Sequence, residues 1–438
     1  MTFRTATEVA AEIRRGALSA RDLTEELLDR IDGSTLNAVV ETHRDVALRA
    51  AEDADRAVAR GDDVGPLHGV PMTIKDAFAV SGMHTTWGEP AFAECVADRD
   101  AAVVERLRAA GAIIVGKSNV HRMLADFGQT ANPVYGRTLN PRDPARTPGG
   151  SSGGAAAAVA AGLSYLEYGS DLAGSIRIPA AYCGVYGLKP TAGTVPLRGF
   201  QPPGPLADPG RDFPSAVGPL ARSAADLRLA LGVTGGPDGA EAHAYSWRLA
   251  PPRHPRLDGF RVGAVLDDPR CPVTSEVGDA LSDAVDALAR AGVKVTEGWP
   301  DGVDPVAQAE SFGFQVELFF AMHDGGFEGD LQGVVGQERR RLASAAAWGR
   351  YFRDADVFLS PTVFTTAFPG DGEQSRYDDQ VFWVAQASLP GLPAVTAPVG
   401  GPLPAGLQVT GPAHEDDTAI TFAGLAADVT GGFVPPGE

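Results

Sequence analysis

Two segments of the chain repeat one pattern, in which an amphipathic helix is followed by a glycine and then by a short apolar strand. The first lies in residues 100–119, where Gly111 separates the helix from the strand-like run AIIVG. The second lies in residues 275–298, where Gly292 precedes the run VKV. The apolar face of the second helix comprises Val277, Ala280, Leu281, Ala284 and Leu288. Helices that alternate with short strands predict a layered α/β fold.

Two further helices are predicted near the N-terminus. One spans residues 19–32, with Ser19 as its candidate N-cap, and the other spans residues 44–61. Residues 234–259 are rich in Gly and Pro and lack any periodicity. We interpret them as a surface excursion within a single domain that spans residues 1–438, and a division into two lobes at this point is the alternative.

The acidic composition limits the kinds of molecule that the protein is expected to bind. Among 438 residues, 37 Lys and Arg stand against 56 Asp and Glu, which gives a formal net charge of −19 at pH 7. A surface of this charge repels phosphate backbones and anionic lipid headgroups. We therefore expect neither nucleic acid nor a membrane as a partner.

The cysteines, the histidines and the N-terminus bear on cofactors and location. Cys95, Cys183 and Cys271 lie far apart without CxxC spacing, so neither a disulfide framework nor a thiolate zinc site is predicted. The histidines lack HExxH spacing, and the run HEDD at 414–417 is interpreted as a solvated turn, so no metal and no cofactor are expected. Charges interrupt the N-terminal residues, and no segment sustains about 18 apolar residues. These features predict a cytoplasmic protein.

The stretch TPGGSSGGAAAA, at 147–158, places glycines on both sides of Ser151 and Ser152. A flexible linker is one interpretation, but the alanines that follow favour a helix. A phosphate loop is the second, although the Lys followed by Ser or Thr that such a loop requires is missing. The residues GGSSG also match the G-x-S-x-G nucleophile elbow, but the segment before them is broken by prolines where an elbow needs a strand. A loop that leads into a helix describes the stretch best.

Two other segments place polar residues in unusual surroundings. Lys75 lies inside the apolar, strand-like run GVPMTIKD. Ser175 lies in a glycine-containing turn, where Asp171 precedes Arg177 by six positions. We interpret Asp171 and Arg177 as a structural ion pair that supports this turn.

These segments resemble the motifs of the amidase signature family of serine hydrolases. The family pattern combines G-V-P-x-x-x-K-D, then G-G-S-S-G-G, and then a serine 24 positions after the first of the paired serines. Here Ser175 follows Ser151 by 24 positions, and Lys75 stands in GVPMTIKD. Segments from GKSNV to LPAGLQVTGP also look like family landmarks, whereas residues 300–355 match poorly. The resemblance implies the amidase-signature fold, a central mixed, twisted β-sheet covered by helices on both faces.

The resemblance also implies roles for individual residues in the hydrolysis of a carboxamide. Ser175 would be the nucleophile that forms an acyl-enzyme, Ser151 a relay held by a cis peptide bond after Gly150, and Lys75 the base. Ser152 would support the loop by hydrogen bonding. The oxyanion hole would consist of the backbone amides of Leu172, Ala173, Gly174 and Ser175.

The residue types suit these roles. A serine hydroxyl is a weak nucleophile until a positioned base removes its proton. Lysine acts as a base only when neutral, so burial must lower its pKa from about 10.4 towards the working pH. The apolar neighbours Val70, Met72 and Ile74 favour such burial. One amide donor aimed at a developing oxyanion contributes about 2.7 to 4 kcal/mol.

The sequence departs from the family pattern near the predicted oxyanion hole. Ala173 stands where the family usually has Gly, and Leu172 where Thr or Ile is common. If the backbone at Ala173 required a positive φ, its Cβ would cost about 1 kcal/mol and could tilt a donor. Thr194 replaces a frequent Arg, and Ser388 a frequent Asn. These departures leave a non-catalytic, amidase-like scaffold as an alternative.

Two reactions are considered for a catalytic protein. The first is hydrolysis of a linear, non-peptide carboxamide. The second is transfer of the acyl group or of ammonia to a partner subunit, as in family members that act as glutamine amidases. For the assembly of the chain itself, we also consider a homodimer.

Four aromatic residues are predicted either to line the substrate pocket or to belong to the core. They are Phe312, Phe314, Phe319 and Phe320.

Overall fold

The computed structural model describes residues 3–126, 128–203, 214–324, 329–370 and 379–437. Its α-helices are α1 (Ala6–Arg14), α2 (Ala20–Asp32), α3 (Arg44–Arg60), α4 (Ala102–Ala109), α5 (Gly153–Ala160), α6 (Arg177–Cys183), α7 (Ala224–Thr234), α8 (Ser275–Arg290), α9 (Pro305–Asp324), α10 (Leu331–Asp354), α11 (Gln380–Ser388) and α12 (Asp416–Thr430). Its β-strands are β1 (Val39–Thr42), β2 (Pro71–Lys75), β3 (Ile113–Ser118), β4 (Ala131–Asn132), β5 (Gly136–Arg137), β6 (Glu167–Asp171), β7 (Tyr186–Lys189), β8 (Ala216–Ala221), β9 (Arg261–Ala264), β10 (Lys294–Glu297), β11 (Val357–Pro361), β12 (Ala394–Val399) and β13 (Ala405–Thr410).

The largest sheet in the described part of the chain has eight strands, in the order β10-β9-β11-β13-β12-β7-β8-β6. Strands β10, β9 and β11 are parallel, and every other neighbouring pair is antiparallel. Helices α6, α8 and α12 pack against this sheet. The prediction of an α/β fold with a mixed sheet is therefore confirmed. Strands from both sides of residues 234–259 join the same sheet.

The repeated pattern of helix, glycine and strand is confirmed at both of its sites. Gly111 and Gly292 each have a φ of 92°, in the left-handed region that glycine adopts without the steric cost of a Cβ. They end α4 and α8 and lead directly into β3 and β10. The apolar face of α8 is buried at four of its predicted positions. These positions are Val277, Leu281, Ala284 and Leu288.

Both N-terminal helices are also confirmed. Helix α2 begins after Ser19, whose side chain accepts a hydrogen bond from the amide of Asp22 and so caps the helix. Helix α3 ends at Arg60 before Gly61, which has a φ of 75°. The interpretation of HEDD as a solvated turn is confirmed for His414, which is exposed in a turn, and wrong for Asp416 and Asp417, which are buried in α12. Asp416 is 1% exposed at the start of α12, where its carboxylate accepts hydrogen bonds from the amide and the hydroxyl of Thr191.

The elements around the glycine-serine stretch are packed closely. Helix α5 follows Ser152 and every residue in it is buried. A Cβ on Gly154 would lie 2.4 Å from the carbonyl oxygen of Asn119, so only glycine allows this approach. In a small three-stranded sheet, β2 pairs in parallel with β3 and brings Lys75 opposite Ser118. Among the helices that the structure describes, none has the length and apolar character needed to cross a membrane.

Candidate active site

Lys75 lies at the end of β2 and is completely buried. Its Nζ is within hydrogen-bonding distance of the hydroxyl oxygens of Ser151, Ser152 and Ser170, at 2.7, 2.8 and 2.9 Å. Burial disfavours the ammonium form and lowers the pKa of Lys75 to about 7, although the charges of Asp171 and Glu167 oppose this effect. Near neutral pH, a substantial fraction of this amine is therefore able to accept a proton.

The loop before α5 holds Ser151 against Lys75. The peptide bond between Gly150 and Ser151 is cis. A Cβ on Gly150 would lie 1.9 Å from the carbonyl oxygen of Gln129, so the loop can take this position only with glycine there. Ser152 reaches across to β6, because its hydroxyl donates to the carbonyl oxygen of Ser170 at 3.3 Å and accepts from Lys75.

Ser175 lies in the turn between β6 and α6, next to the Ser151 loop. The amide of Ser152 donates a hydrogen bond of 3.2 Å to the carbonyl oxygen of Ser175, which joins the two segments through their backbones. Within the described ranges, the side chain of Ser175 has no hydrogen bond, either to Ser151 or to another residue. Ser175 is 6% exposed, whereas Ser151 is 1% exposed. Of the two hydroxyls, that of Ser175 is therefore the more accessible.

The turn at 172–175 was predicted to supply four oxyanion donors. The amide of Gly174 instead donates to Oδ1 of Asp171 at 2.8 Å, because Gly174, with a φ of 95°, turns the chain back over that carboxylate. Among the residues that the structure describes, the amides of Leu172, Ala173 and Ser175 have no hydrogen-bond acceptor. Ala173 is not one of the residues with a positive φ, so its methyl group meets no backbone penalty there.

Asp171 and Arg177 form a fully buried ion pair that fixes this turn. The guanidinium of Arg177 donates to both carboxylate oxygens of Asp171 at 2.9 Å. It also donates to the hydroxyl of Ser388 at 2.7 Å and to Oε1 of Gln408 at 2.8 Å. Burial alone would raise the pKa of Asp171, but the Arg177 charge and its hydrogen bonds outweigh burial and lower it. The pair has the geometry of the predicted scaffold, and Ser388 is one of its partners.

Replacing Arg177 with Met is expected to lower the free energy of unfolding by about 3 to 5 kcal/mol, because Asp171 would remain buried without its cationic partner. Urea denaturation of the purified variant measures this loss. Arg60→Met is the matched control, since the ion pair of Arg60 with Asp62 is exposed and should contribute little. Equal denaturation midpoints for the two variants would contradict a supporting role for the buried pair.

Two polar residues at this site were not anticipated from the sequence. Ser170 is the third hydroxyl around Lys75, and Glu167 is a completely buried carboxylate on the same strand, β6. Burial raises the pKa of Glu167 to about 7, against the opposing effect of a hydrogen bond from Thr73. The signal available for Glu167 was a second carboxylate, besides Asp171, within this short strand. Ser170 had no comparable signal, since a serine in a strand is common.

The four phenylalanines of α9 fall into different environments. Phe312 is buried in a cluster with Ala173, Ala385 and Leu389, which places α9 beside the turn that carries Ser175. Phe320 is 37% exposed. Phe314 and Phe319 are partly buried. The four residues therefore do not share one environment, and Phe312 is the member packed against the candidate site.

No group of three or more His, Cys, Asp or Glu side chains in the described ranges is arranged to hold a metal ion. The donors at the site are instead an amine, serine hydroxyls and backbone amides. In general, amines and hydroxyls can transfer protons, and backbone amides can stabilise an oxyanion.

Comparison with known proteins shows that this mixed sheet and buried lysine and serine cluster belong to an amide-hydrolysing enzyme. The chain belongs to the amidase family, whose model matches residues 22–324. It is 33% identical to an acylamidase of Rhodococcus erythropolis, over 95% of this chain and 94% of that protein. It is 34% identical to a glutamyl-tRNA(Gln) amidotransferase subunit of Chromohalobacter salexigens, over 94% of this chain and 93% of that protein.

A solved structure has the same fold over nearly the whole chain. It is the inhibitor-bound form of a vestigial protein complex that reveals the evolutionary origins of an s-triazine catabolic enzyme. The TM-score is 0.85 at 27% identity, and the match covers 98% of this chain and 99% of that chain. The similarity therefore includes most of the described residues between 300 and 355, where the sequence motifs are weakest.

Proposed function

We propose that this amidase hydrolyses a linear, non-peptide carboxamide through an acyl-enzyme on Ser175, with Ser151 and Lys75 as its proton relay. The observation that carries the proposal is the contact of Lys75 Nζ with the hydroxyl of Ser151, in a buried site that lowers the pKa of the amine to about 7. The similarity to the acylamidase supports an amide as substrate.

In the acylation step, the oxygen of Ser175 attacks the carbonyl carbon of the amide. The proton of Ser175 passes to Ser151, whose own proton passes to Lys75. The negative charge moves to the carbonyl oxygen, and the amides of Leu172, Ala173 and Ser175, which have no acceptor among the described residues, stabilise it. The C–N bond then breaks, and the nitrogen takes the proton back through Ser151, so that an amine or ammonia leaves and Ser175 carries the acyl group.

Water completes the reaction by the same path in reverse. It attacks the acyl carbon and gives a proton through Ser151 to Lys75. The bond between the acyl carbon and Ser175 breaks, and the serine oxygen recovers a proton from the relay. The products are a carboxylic acid and the free enzyme, so no cofactor is consumed.

A fluorophosphonate probe tests the identity of the nucleophile. After labelling of the purified protein, peptide mass spectrometry is expected to find the adduct on Ser175, because this proposed nucleophile is more exposed than Ser151. Ser175→Ala should abolish labelling. An adduct found on Ser151 or Ser152 in the wild type would contradict the assignment of Ser175.

The relatives favour one second candidate function. Similarity to an amidotransferase subunit over most of both chains supports a reaction in which ammonia released from an amide passes to a partner protein. Co-purification as a stable complex, with slow hydrolysis by the isolated chain, supports this function. Rapid hydrolysis of simple amides by the isolated chain supports the first function, hydrolysis of a linear carboxamide. A homodimer stays a prediction, to be tested by light scattering.

A further inference from the structure

Two adjacent side-chain links join β2 to β6. Lys75 and Thr73 are two residues apart on β2 and therefore point to the same side of that strand. Lys75 contacts the hydroxyl of Ser170, and the hydroxyl of Thr73 donates to Oε1 of Glu167. Side chains two residues apart on a strand are separated by about 7 Å. The hydrogen bond to Thr73 thus places the carboxyl group of Glu167 on the same side of β2 as the amine of Lys75, at about the spacing of neighbouring side chains on one face of a strand.

Glu167 is completely buried, and no ion pair holds its carboxylate among the residues that the structure describes. The carboxylate accepts hydrogen bonds from the hydroxyl of Thr73 and from the amide of Tyr168, the latter at 3.1 Å. Both donors stabilise the ionised form. A carboxylate kept in this position without a cation in contact with it interacts with the nearest charge through space.

Each of the other cations that face this region has a carboxylate near it. Lys117 on β3 lies 3.4 Å from Asp76, which follows β2, and Asp171 on β6 is held by Arg177. Lys189 on β7 faces Asp171, Arg177 and Asp416. Helix α5 and strand β8, which pack against β6, contain no titratable residue. Lys75 forms no ion pair within the described residues, and the charges that act on it through space are those of Asp171 and Glu167.

We propose that Glu167, held by Thr73, is a positioning residue that stabilises the ammonium form of Lys75 and so sets the pH at which the relay operates. The inference rests on the proposed function, in which Lys75 accepts and returns a proton. The two groups influence each other in opposite directions: an ionised Glu167 raises the pKa of Lys75, and a protonated Lys75 lowers that of Glu167. When the relay delivers a proton to Lys75, the carboxylate offsets part of the cost of a buried positive charge.

Glu167→Gln tests the proposal because it keeps the size of the side chain and removes its charge. The dependence of kcat/KM on pH has an acid limb whose midpoint reports the pKa of the base in the free enzyme. Without the carboxylate, the pKa of Lys75 falls, so we expect the midpoint to move to lower pH by about one unit. Thr73→Val, which removes the hydroxyl that stabilises the carboxylate, should shift the midpoint in the same direction by less.

Tyr168→Phe is the matched control for a purely structural effect. Tyr168 lies next to Glu167 on β6, and its hydroxyl is bonded to Thr234, away from Lys75. This variant should lose stability without a shift of the midpoint. An unchanged midpoint in both Glu167→Gln and Thr73→Val would overturn the inference.

Failure of the inference is distinguishable from failure of the proposed function. If the inference alone is wrong, the wild type keeps an acid limb that depends on Lys75. The Glu167 and Thr73 variants then show this limb with the same midpoint as the wild type. If the proposed function is wrong, a variant without the Lys75 amine retains the same limb.

Discussion

Substitution of Ser175 by alanine is expected to lower kcat for amide hydrolysis by about 10⁴- to 10⁶-fold, because it removes the hydroxyl that the proposed mechanism uses to form the acyl-enzyme. The residual rate would come from the relay and from the backbone amides of the turn at 172–175. The fold should be unaffected, since the hydroxyl of Ser175 has no hydrogen-bond partner in the described part of the chain. A panel of simple aryl and aliphatic amides, assayed with purified wild type and variant, measures the loss.

Ser344→Ala is the matched control for this experiment. Ser344 is 7% exposed, close to the 6% of Ser175, and its buried hydroxyl also has no partner within the described residues. It lies on α10, outside the proposed relay. The control should keep full activity. Equal rates for wild type and Ser175→Ala would contradict the assignment of Ser175 as the nucleophile. Absence of turnover by the wild type across the panel would favour the non-catalytic scaffold.

The parts of the fold that the sequence predicted are those controlled by local signals. An amphipathic face ended by Gly111 or Gly292 determines where a helix stops and a strand begins, since the left-handed backbone at these positions excludes most other residues. The order of the eight strands was not predictable in this way. It depends on pairings between strands that are distant along the chain, such as β7 with β12.

The candidate site was predicted from sequence motifs. The errors in that prediction arise because motif spacing carries no information about hydrogen bonds or packing. Motif spacing predicted Lys75, Ser151 and Ser175, and the structure brings Lys75 into contact with Ser151, whereas the roles of all three stay a prediction. Spacing does not show which amides are already bonded, so Gly174 was counted as an oxyanion donor although Asp171 accepts its hydrogen bond. Nor does spacing show that β6 lies beside β2, the packing that brings Ser170 to Lys75.

Replacing Lys75 with Met is expected to lower kcat/KM by about 10²- to 10⁴-fold at neutral pH, the usual contribution of a positioned general base. Wild-type kcat/KM should rise with pH through a midpoint near 7, because Lys75 acts as a base only after it loses the proton that burial makes easy to lose. Met has a similar length and no titratable group, so the variant should show a low rate without this limb. Persistence of the limb in Lys75→Met would assign it to another residue.

The same substitution has a predictable effect on stability, and its sign follows from the pKa of Lys75. The folded value of about 7 lies below the ordinary value of 10.5, so between these pH values the unfolded chain holds a proton that the folded chain has released. The folded wild type therefore becomes less stable, relative to Lys75→Met, as pH falls from 10.5 to 7. The full difference is about 5 kcal/mol at 1.36 kcal/mol per pH unit, and it stays constant below pH 7. Met also leaves three hydroxyls without the amine, a cost that does not change with pH. Urea denaturation of both proteins at several pH values separates the two effects, and a difference independent of pH would show that Lys75 is not a buried amine with a lowered pKa.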